Sequence, residues 1–377
     1  MTDIARLADA TPATRNRAVD LLRVVAIGVV VLWHWVFAVT HRHHGVLVNP
    51  NPIEQVPGGW LLTWLFQVVP LFFIVGGYAN LAAWDAVRRA GAGGRGGARG
   101  GAGRFLRQRL RRLLLPALVF AAVWTLLDSA VRLANPGHPG VLSTVPVVFT
   151  PLWFIAAYLM VVLLTPVTAA AQRRHGWGVA AGLGAAVVAA DIGRLGFGLE
   201  WCGAVNTVLV WIFAHQLGYL WRDGETAPLW RRAALACGGV AGVALATSLG
   251  PYPPSLVATP DQDMSHMLPT TAVIASLAVF QLGLSTLLAP ALSAWLRRRG
   301  PWRAVVAANA VVLTVFLWHM TALLAVFLVV EQLGFTPYST ATWQWWLQRP
   351  FWLVAPAAAL VPLVLAFAPV ERKSSTK

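Results

Sequence analysis

Apolar residues run through this chain in stretches of about twenty, separated by short clusters of charge. Ten stretches fall at roughly 20–40, 58–84, 113–133, 151–171, 177–193, 204–221, 233–250, 269–295, 304–330 and 351–369. A helix rising ~1.5 Å per residue needs about 20 apolar residues to cross a hydrocarbon core ~30 Å thick. The pattern therefore predicts an all-α, polytopic membrane protein with about ten transmembrane helices. It divides the chain into a polar tail over 1–19, a membrane domain over 20–370 and a second tail over 371–377. A Gly- and Arg-rich stretch over 86–112 reads as a linker, flexible through AGAGGRGGARGGAG at 90–103, without the Gly-Lys-Ser/Thr ending of a phosphate loop. The first apolar stretch has no small-residue cleavage pattern, so it is expected to stay as a span and not leave as a signal peptide.

Composition sharpens the picture. The chain of 377 residues is 58% hydrophobic and only 11% charged, where a soluble domain carries about 25% charge. Its net charge of +15 would suit nucleic acid on a soluble face, but these cations sit between apolar runs, where lipid headgroups and membrane topology account for them. Of the 29 basic residues, 25 fall in the N-tail through Arg23, in 88–112, around Arg173, in 222–232, in 297–303 and in the C-tail. The alternate loops hold only Arg42, Arg132, Arg194 and Arg349. The basic set is thus expected on the cytoplasmic side, with both termini, in a multi-pass protein of the plasma membrane. Tryptophans at span ends, such as Trp177 and Trp221, read as interfacial anchors. Two cysteines, Cys202 and Cys237, build neither a disulfide framework nor a metal site.

Ionisable residues inside spans mark candidate chemistry. The first span reads RAVDLLRVVAIGVVVLWHW, with Asp20, Arg23 and His34. At 100° per residue all three project from one face, and His34 lies about 16 Å deeper than Arg23. A cation at the membrane edge would then line up with an imidazole far inside, as in a channel entered from the cytoplasm. The alternative is an Asp–Arg pair at the edge and a histidine bonded to a neighbouring helix. The third span is introduced by RFLRQRLRRLLLP, where Arg109 and Arg112 share a face near a helix N-terminus. They suit a phosphate-bearing ligand, or serve topology alone. Deeper still are Asp128, Asp191, His215, Gln216 and His319, each open to a plain interhelical bond but together implying a polar interior. His41, His43 and His44 have no acidic or cysteine partner at ligand spacing and read as a surface loop; no metal is expected.

These segments together resemble the integral-membrane acyltransferase 3 family, the bacterial membrane O-acyltransferases. The carriers are RAVDLLRVVAIGVVVLWHW, PLFFIVGGYAN at 70–80, the Arg-x-x-Arg before Pro116, PLWFIAAYL at 151–159 with Trp153 and Tyr158, and FLWH at 316–319. The stretch DIGR at 191–194, then Asn206 and VWIFAHQLGY at 210–219, looks like an actinobacterial branch. The resemblance, from Arg17 to Val370, implies ten helices and acyl-CoA, acetyl-CoA first, supplied from the cytoplasm. It implies transfer to a hydroxyl of a glycan, a glycolipid or a hydroxylated small molecule, with membrane lipid around the protein and no nucleic-acid partner. His34 matches the family's essential histidine, Arg23 its partner arginine, and Arg109 with Arg112 its arginine pair; Asp20 is expected to orient Arg23. The extracellular hydrolase-like domain of some members is not expected here. Tyr252, Asp261, Asp263, His266, Trp343 and Trp345 in the outer loops offer possible acceptor contacts. A transporter of an anionic or acylated solute is the rival from another class, and a non-catalytic scaffold a weaker third. A transporter, however, needs no phosphate-binding mouth confined to one side.

Overall fold

The computed structural model describes residues 2–12, 15–91, 97–224, 227–259, 264–335, 337–338 and 340–375. A short helix α1 (Thr2–Asp9) precedes α2 (Arg17–Leu32), whose N-terminus is capped by Asn16 accepting from the Val19 N–H at 3.3 Å. The last turn of that span, Trp33–Phe37, is a π-helix. A hairpin of β1 (His41–His43) and β2 (Val46–Val48) follows, with His41 opposite Val48. Then come α3 (Trp60–Phe66), α4 (Val69–Gly91), α5 (Gly97–Ala134), the single turn α6 (Val141–Thr144), α7 (Thr150–His175) and α8 (Trp177–Asp191). The chain closes with α9 (Trp201–Asp223), α10 (Leu229–Leu249), α11 (Ala272–Trp295), α12 (Arg299–Asn309), α13 (Val312–Gln332) and α14 (Trp343–Ser375).

Among the described residues, nine helices are long and apolar enough to cross a membrane. The predicted span 204–221 is not one of them, although it forms α9, a helix of 23 residues. Its polar side chains lower its hydropathy, and they are tolerated because they point into protein: Asn206, His215 and Gln216 are all buried. The predicted span 58–84 is broken between α3 and α4. Pro70, with no N–H to leave unpaired, sits in the first turn of α4. The carbonyl freed at the break, Gln67 O, accepts from Gln281 Nε2 at 2.7 Å. Likewise 304–330 is divided into the short α12 and the spanning α13, and Asn309 Nδ2 ties the break to Asp20 O at 3.1 Å.

Two further expectations change. The linker expected over 86–112 is largely helical in its described part, since α4 runs on to Gly91 and α5 begins at Gly97; residues 92–96 lie outside the described residues. The tail expected from 371 continues α14 to Ser375, and Glu371 is buried.

Glycines set the closest helix contacts. A Cβ built on Gly77 would lie 1.9 Å from the His215 carbonyl oxygen, and one on Gly218 would lie 2.0 Å from Ile74 O. The backbones of α4 and α9 therefore touch, as small residues allow in membranes. Gly239 and Gly283 lock α10 to α11 in the same way. Gly28 on α2, by contrast, has open space around it.

Gly77→Ala is expected to force α4 from α9 and to lower stability by roughly 1–3 kcal/mol, as overpacking does. Gly28→Ala is expected to leave stability unchanged or to raise it by up to about 1 kcal/mol, from helix propensity alone. Thermal unfolding of the two variants in detergent, followed by tryptophan fluorescence, checks the contrast.

Candidate active site: three cavities in line

Four helices place the site. α2 and α13 run one way through it, α4 and α7 the other, and the order of lining residues reverses accordingly. Along α2 the sequence is Arg23, Ile27, then His34; along α13 it is Leu313, Phe316, then His319. Along α4 it is Phe72 before Asn80, and along α7 Trp153 and Phe154 before Tyr158.

At one end is a basic cavity of about 520 Å³ lined by Arg107, Gln108, Arg109, Arg111, Arg112 and Ser374. Arg109 and Arg112 also face a narrow chamber of about 70 Å³, together with Arg23, Asn80, Tyr158 and Glu371. Beyond it opens a cavity of about 1110 Å³ holding His34 and His319. The narrow chamber and the large cavity share a wall made of Ile27, Phe72, Phe154 and Phe316. Phe154 lies 4.8 Å from Phe72 and 4.9 Å from Phe316 between ring centroids, in edge-to-face packing. The three rings form a collar between the cationic end and the histidines.

The narrow chamber brings three guanidiniums against one carboxylate. Arg109 donates to Ala79 O at 3.0 Å and lies over the Phe105 ring. Arg23 is 3.5 Å from Asp20. Asp20 is held more closely by Arg15, at 2.5 and 3.0 Å, so its first partner is a residue outside the predicted set. Glu371 accepts from the N–H groups of Leu313 and Thr314 at 3.2 and 2.8 Å and from the Thr314 hydroxyl at 2.6 Å, capping α13. Cations gathered in surroundings of low dielectric make a strong site for an anion such as phosphate.

The histidines form a directional pair. His319 Nδ1 lies 2.6 Å from the Phe316 carbonyl, which only accepts, so Nδ1 carries the proton. His319 Nε2 is then the acceptor, and His34 Nδ1, 3.1 Å away, donates to it. The lone pair of His34 therefore sits on Nε2. Trp35 Nε1 fixes the same turn by donating to His319 O at 3.1 Å. The π turn that carries His34 is tied to α14 by Arg349 Nη1, which donates to Val36 O at 3.0 Å.

Other predicted residues have structural work. Asp191 accepts from Asn206 at 2.5 Å, from the Tyr252 hydroxyl at 2.7 Å and from the Ala272 N–H at 2.6 Å, which caps α11. His215 meets Asn80 Nδ2 at 3.0 Å and lines none of the three cavities. Gln216 donates to Gln172 at 2.6 Å, joining α9 to α7. Asp128 binds Arg132 and the Leu142 N–H. Of the possible acceptor contacts, Tyr252 is bonded to Asp191, Trp345 and His266 are buried, Trp343 is exposed, and Asp261 and Asp263 lie outside the described residues. His41 and His43 reach the rim of the large cavity, and the described residues contain no group of three potential metal ligands.

Sequence reasoning missed the collar and Glu371. The signal for the collar was present, since Phe72, Phe154 and Phe316 each sit in one of the motif segments, but a phenylalanine there reads equally as packing.

A family model described as an acyltransferase domain matches residues 16–370, nearly the whole chain. The chain belongs to the acyltransferase 3 family. Comparison with curated proteins and with solved structures gave no match. This is a multi-pass membrane acyltransferase, in which Arg23, Arg109 and Arg112 line one cavity and His34 and His319 line the cavity that shares a wall with it.

The segments 251–259 and 264–271 of the acyltransferase wall the large cavity through Val257, Thr259 and Met267. His266 holds them: Nε2–H donates to Pro253 O at 2.8 Å, and Nδ1 accepts from the Thr271 hydroxyl at 2.8 Å. Burial lowers the affinity of His266 for a proton below the ordinary 6.5, opposed by the bond to the Pro253 carbonyl and then by Asp191. Burial and the bond to Asp191 hold the neighbouring Tyr252 phenol above its usual range, so it stays neutral. A depressed folded value means that the unfolded loop binds protons more readily, so His266's contribution is complete above about pH 6.5 and is lost on acidification. Amide protection in 251–259 and 264–271, taken relative to the intrinsic exchange rate at each pH, is expected to fall as pH drops below that value in the wild type. In His266→Gln it is expected to be low at both pH values, and pH-independent protection in the wild type would exclude the mechanism.

Proposed function

We propose that this acyltransferase takes an acyl group, acetyl first, from acyl-CoA at the arginine end and passes it to a hydroxyl held in the large cavity. It does so at the plasma membrane, with the arginine end cytoplasmic. The observation that carries the reading is the alignment of a cationic chamber, an aromatic collar and a histidine with its lone pair on Nε2. The phosphates of coenzyme A suit Arg23, Arg109 and Arg112, and its extended arm points the thioester through the collar toward His34.

Two routes fit. In the first, Nε2 of His34 removes the proton from the acceptor hydroxyl as its oxygen attacks the thioester carbonyl; the C–S bond breaks, and the thiolate leaves and takes up a proton. In the second, Nε2 attacks the thioester, giving an acyl-imidazole and the CoA thiol, and the hydroxyl then takes the acyl group from the imidazole. His319 serves both as a positioning residue, holding the His34 tautomer, much as a carboxylate orients a catalytic histidine elsewhere. The reading of a transporter without chemistry has no observation in its favour beyond the polar interior.

His34→Ala is expected to lower kcat by about 10²–10⁴ or more, the usual share of a general base, with unfolding temperature unchanged. His319→Ala is expected to lower kcat roughly ten- to hundredfold, a fraction of that share, with KM for acyl-CoA unchanged. Arg109→Ala removes a charge-assisted contact of ~1.5–3 kcal/mol and is expected to raise KM for acyl-CoA about ten- to hundredfold. Transfer of label from acetyl-CoA, confined to one face of sealed vesicles, measures all three. Full activity of His34→Ala would exclude the scheme.

A further inference from the structure

Asp20 stands between two arginines. Arg15 approaches it with two nitrogens, Nε donating to Oδ2 at 2.5 Å and Nη2 to Oδ1 at 3.0 Å. Arg23 Nη1 lies 3.5 Å from that same Oδ1. A forked, charge-assisted pair is the stronger arrangement, so the carboxylate belongs mainly to Arg15. Arg23 keeps a weaker hold on it and lines the narrow chamber with Arg109 and Arg112.

The segment that carries Arg15 is fastened on both sides. Ahead of it, Ala8 is buried against Leu296 and Trp302, and Trp302 Nε1 donates to Ala8 O at 3.2 Å and to the Thr11 hydroxyl oxygen at 3.3 Å. The Arg15 N–H itself donates to Pro12 O at 3.0 Å. Behind it, Arg17 donates to Leu296 O at 2.6 Å and lies over the Trp302 ring at 4.8 Å. Asn309 Nδ2 holds the Asp20 carbonyl at 3.1 Å. Arg15 is half exposed, whereas the carboxylate it grips is buried. Neither Arg15 nor Asp20 lines any of the three cavities. Arg15 also precedes residues 16–370, which the family model matches.

A buried carboxylate that loses its partner is costly and takes the nearest cation in reach. With Arg15 gone, that cation is Arg23, one helical turn along the same face of α2. Resting on the reading of the arginine end as the acyl-CoA site, we infer that Arg15 is a positioning residue for the donor. By occupying Asp20 it leaves the Arg23 guanidinium available to a phosphate of coenzyme A. Without Arg15 the Asp20 carboxylate draws Arg23 out of the chamber lining, and the donor meets two cations there in place of three.

The test is titration of the full-length protein in lipid nanodiscs with acetyl-CoA. The proteins compared are the wild type, Arg15→Ala, Arg15→Lys, Asp20→Asn, the double variant Arg15→Ala with Asp20→Asn, and Arg109→Ala. Arg15→Ala is expected to bind acetyl-CoA about tenfold more weakly, the low end of what a charge-assisted contact is worth. Its unfolding temperature without ligand is expected to stay that of the wild type. Arg15→Lys, which keeps the charge and loses the fork, is expected to recover part of the affinity. In label transfer Arg15→Ala raises KM for acetyl-CoA and leaves kcat unchanged. The deciding comparison is made in Asp20→Asn, where there is no carboxylate to divert Arg23. There the further change Arg15→Ala is expected to shift the affinity by less than about twofold. A loss that persists in that background overturns the inference, because Arg15 would then meet the donor directly or serve folding alone. Wild-type affinity in Arg15→Ala, together with weakened binding in Arg109→Ala, overturns the inference and leaves the donor site standing. Failure of the wild type to bind acetyl-CoA at all overturns both.

Discussion

A polar side chain among membrane helices has to find its partner within the protein, because hydrocarbon offers none. That constraint orders the interior of this molecule. Asp191 gathers Asn206, Tyr252 and the start of α11; Gln216 meets Gln172; His215 meets Asn80; Gln67 O at a helix break meets Gln281. Where the rule is obeyed, the residue fastens helices. Where Arg23, Arg109 and Arg112 line one chamber, Asp20 pairs with the first and Glu371 is the carboxylate that shares the lining.

The same constraint gives the histidine pair its direction. A backbone carbonyl cannot donate, so Phe316 O decides the proton on His319, and through it the proton on His34. The donor and acceptor sides of the His34 ring are thereby set by the backbone of another helix. Glu371 extends the coupling, since it caps α13 and so seats the helix that presents both Phe316 and His319. One element thus joins the cationic chamber, the collar and the histidines. Glycine contacts between α4 and α9 keep Phe72 and Asn80 close enough to complete the wall.

Much of this was legible in the chain. The periodicity of apolar stretches gave the helical membrane class, and the segment from Asp20 to His34 gave the alignment of a cation with a deep imidazole. Arg109 and Arg112 were found from their spacing at the edge of an apolar run. Less legible were the helix breaks at Gln67 and Ala310, because a hydropathy window averages across them. α9 was read correctly as a helix, but Asn206, His215 and Gln216 weaken its apolar signal so that it is not among the nine candidate spans of the described residues, and all three are buried in the packing. The stretch after Glu371 read as a tail because charge near a terminus usually means solvent, whereas here α14 carries that carboxylate against α13.

By itself the sequence determined which segments are apolar enough to cross a membrane, α9 excepted, and which ionisable residues stand within them, since both follow from the transfer of single side chains between water and hydrocarbon. Only the tertiary structure decided which of those residues share a cavity. His34 and His319 are 285 positions apart, and nothing in the local pattern of either span states the distance between their rings. The collar, the cap at Glu371 and the unequal compartments likewise arise from how helices cross. Crossing is set by close contacts such as Gly77 on His215 O, which depend on both partners at once.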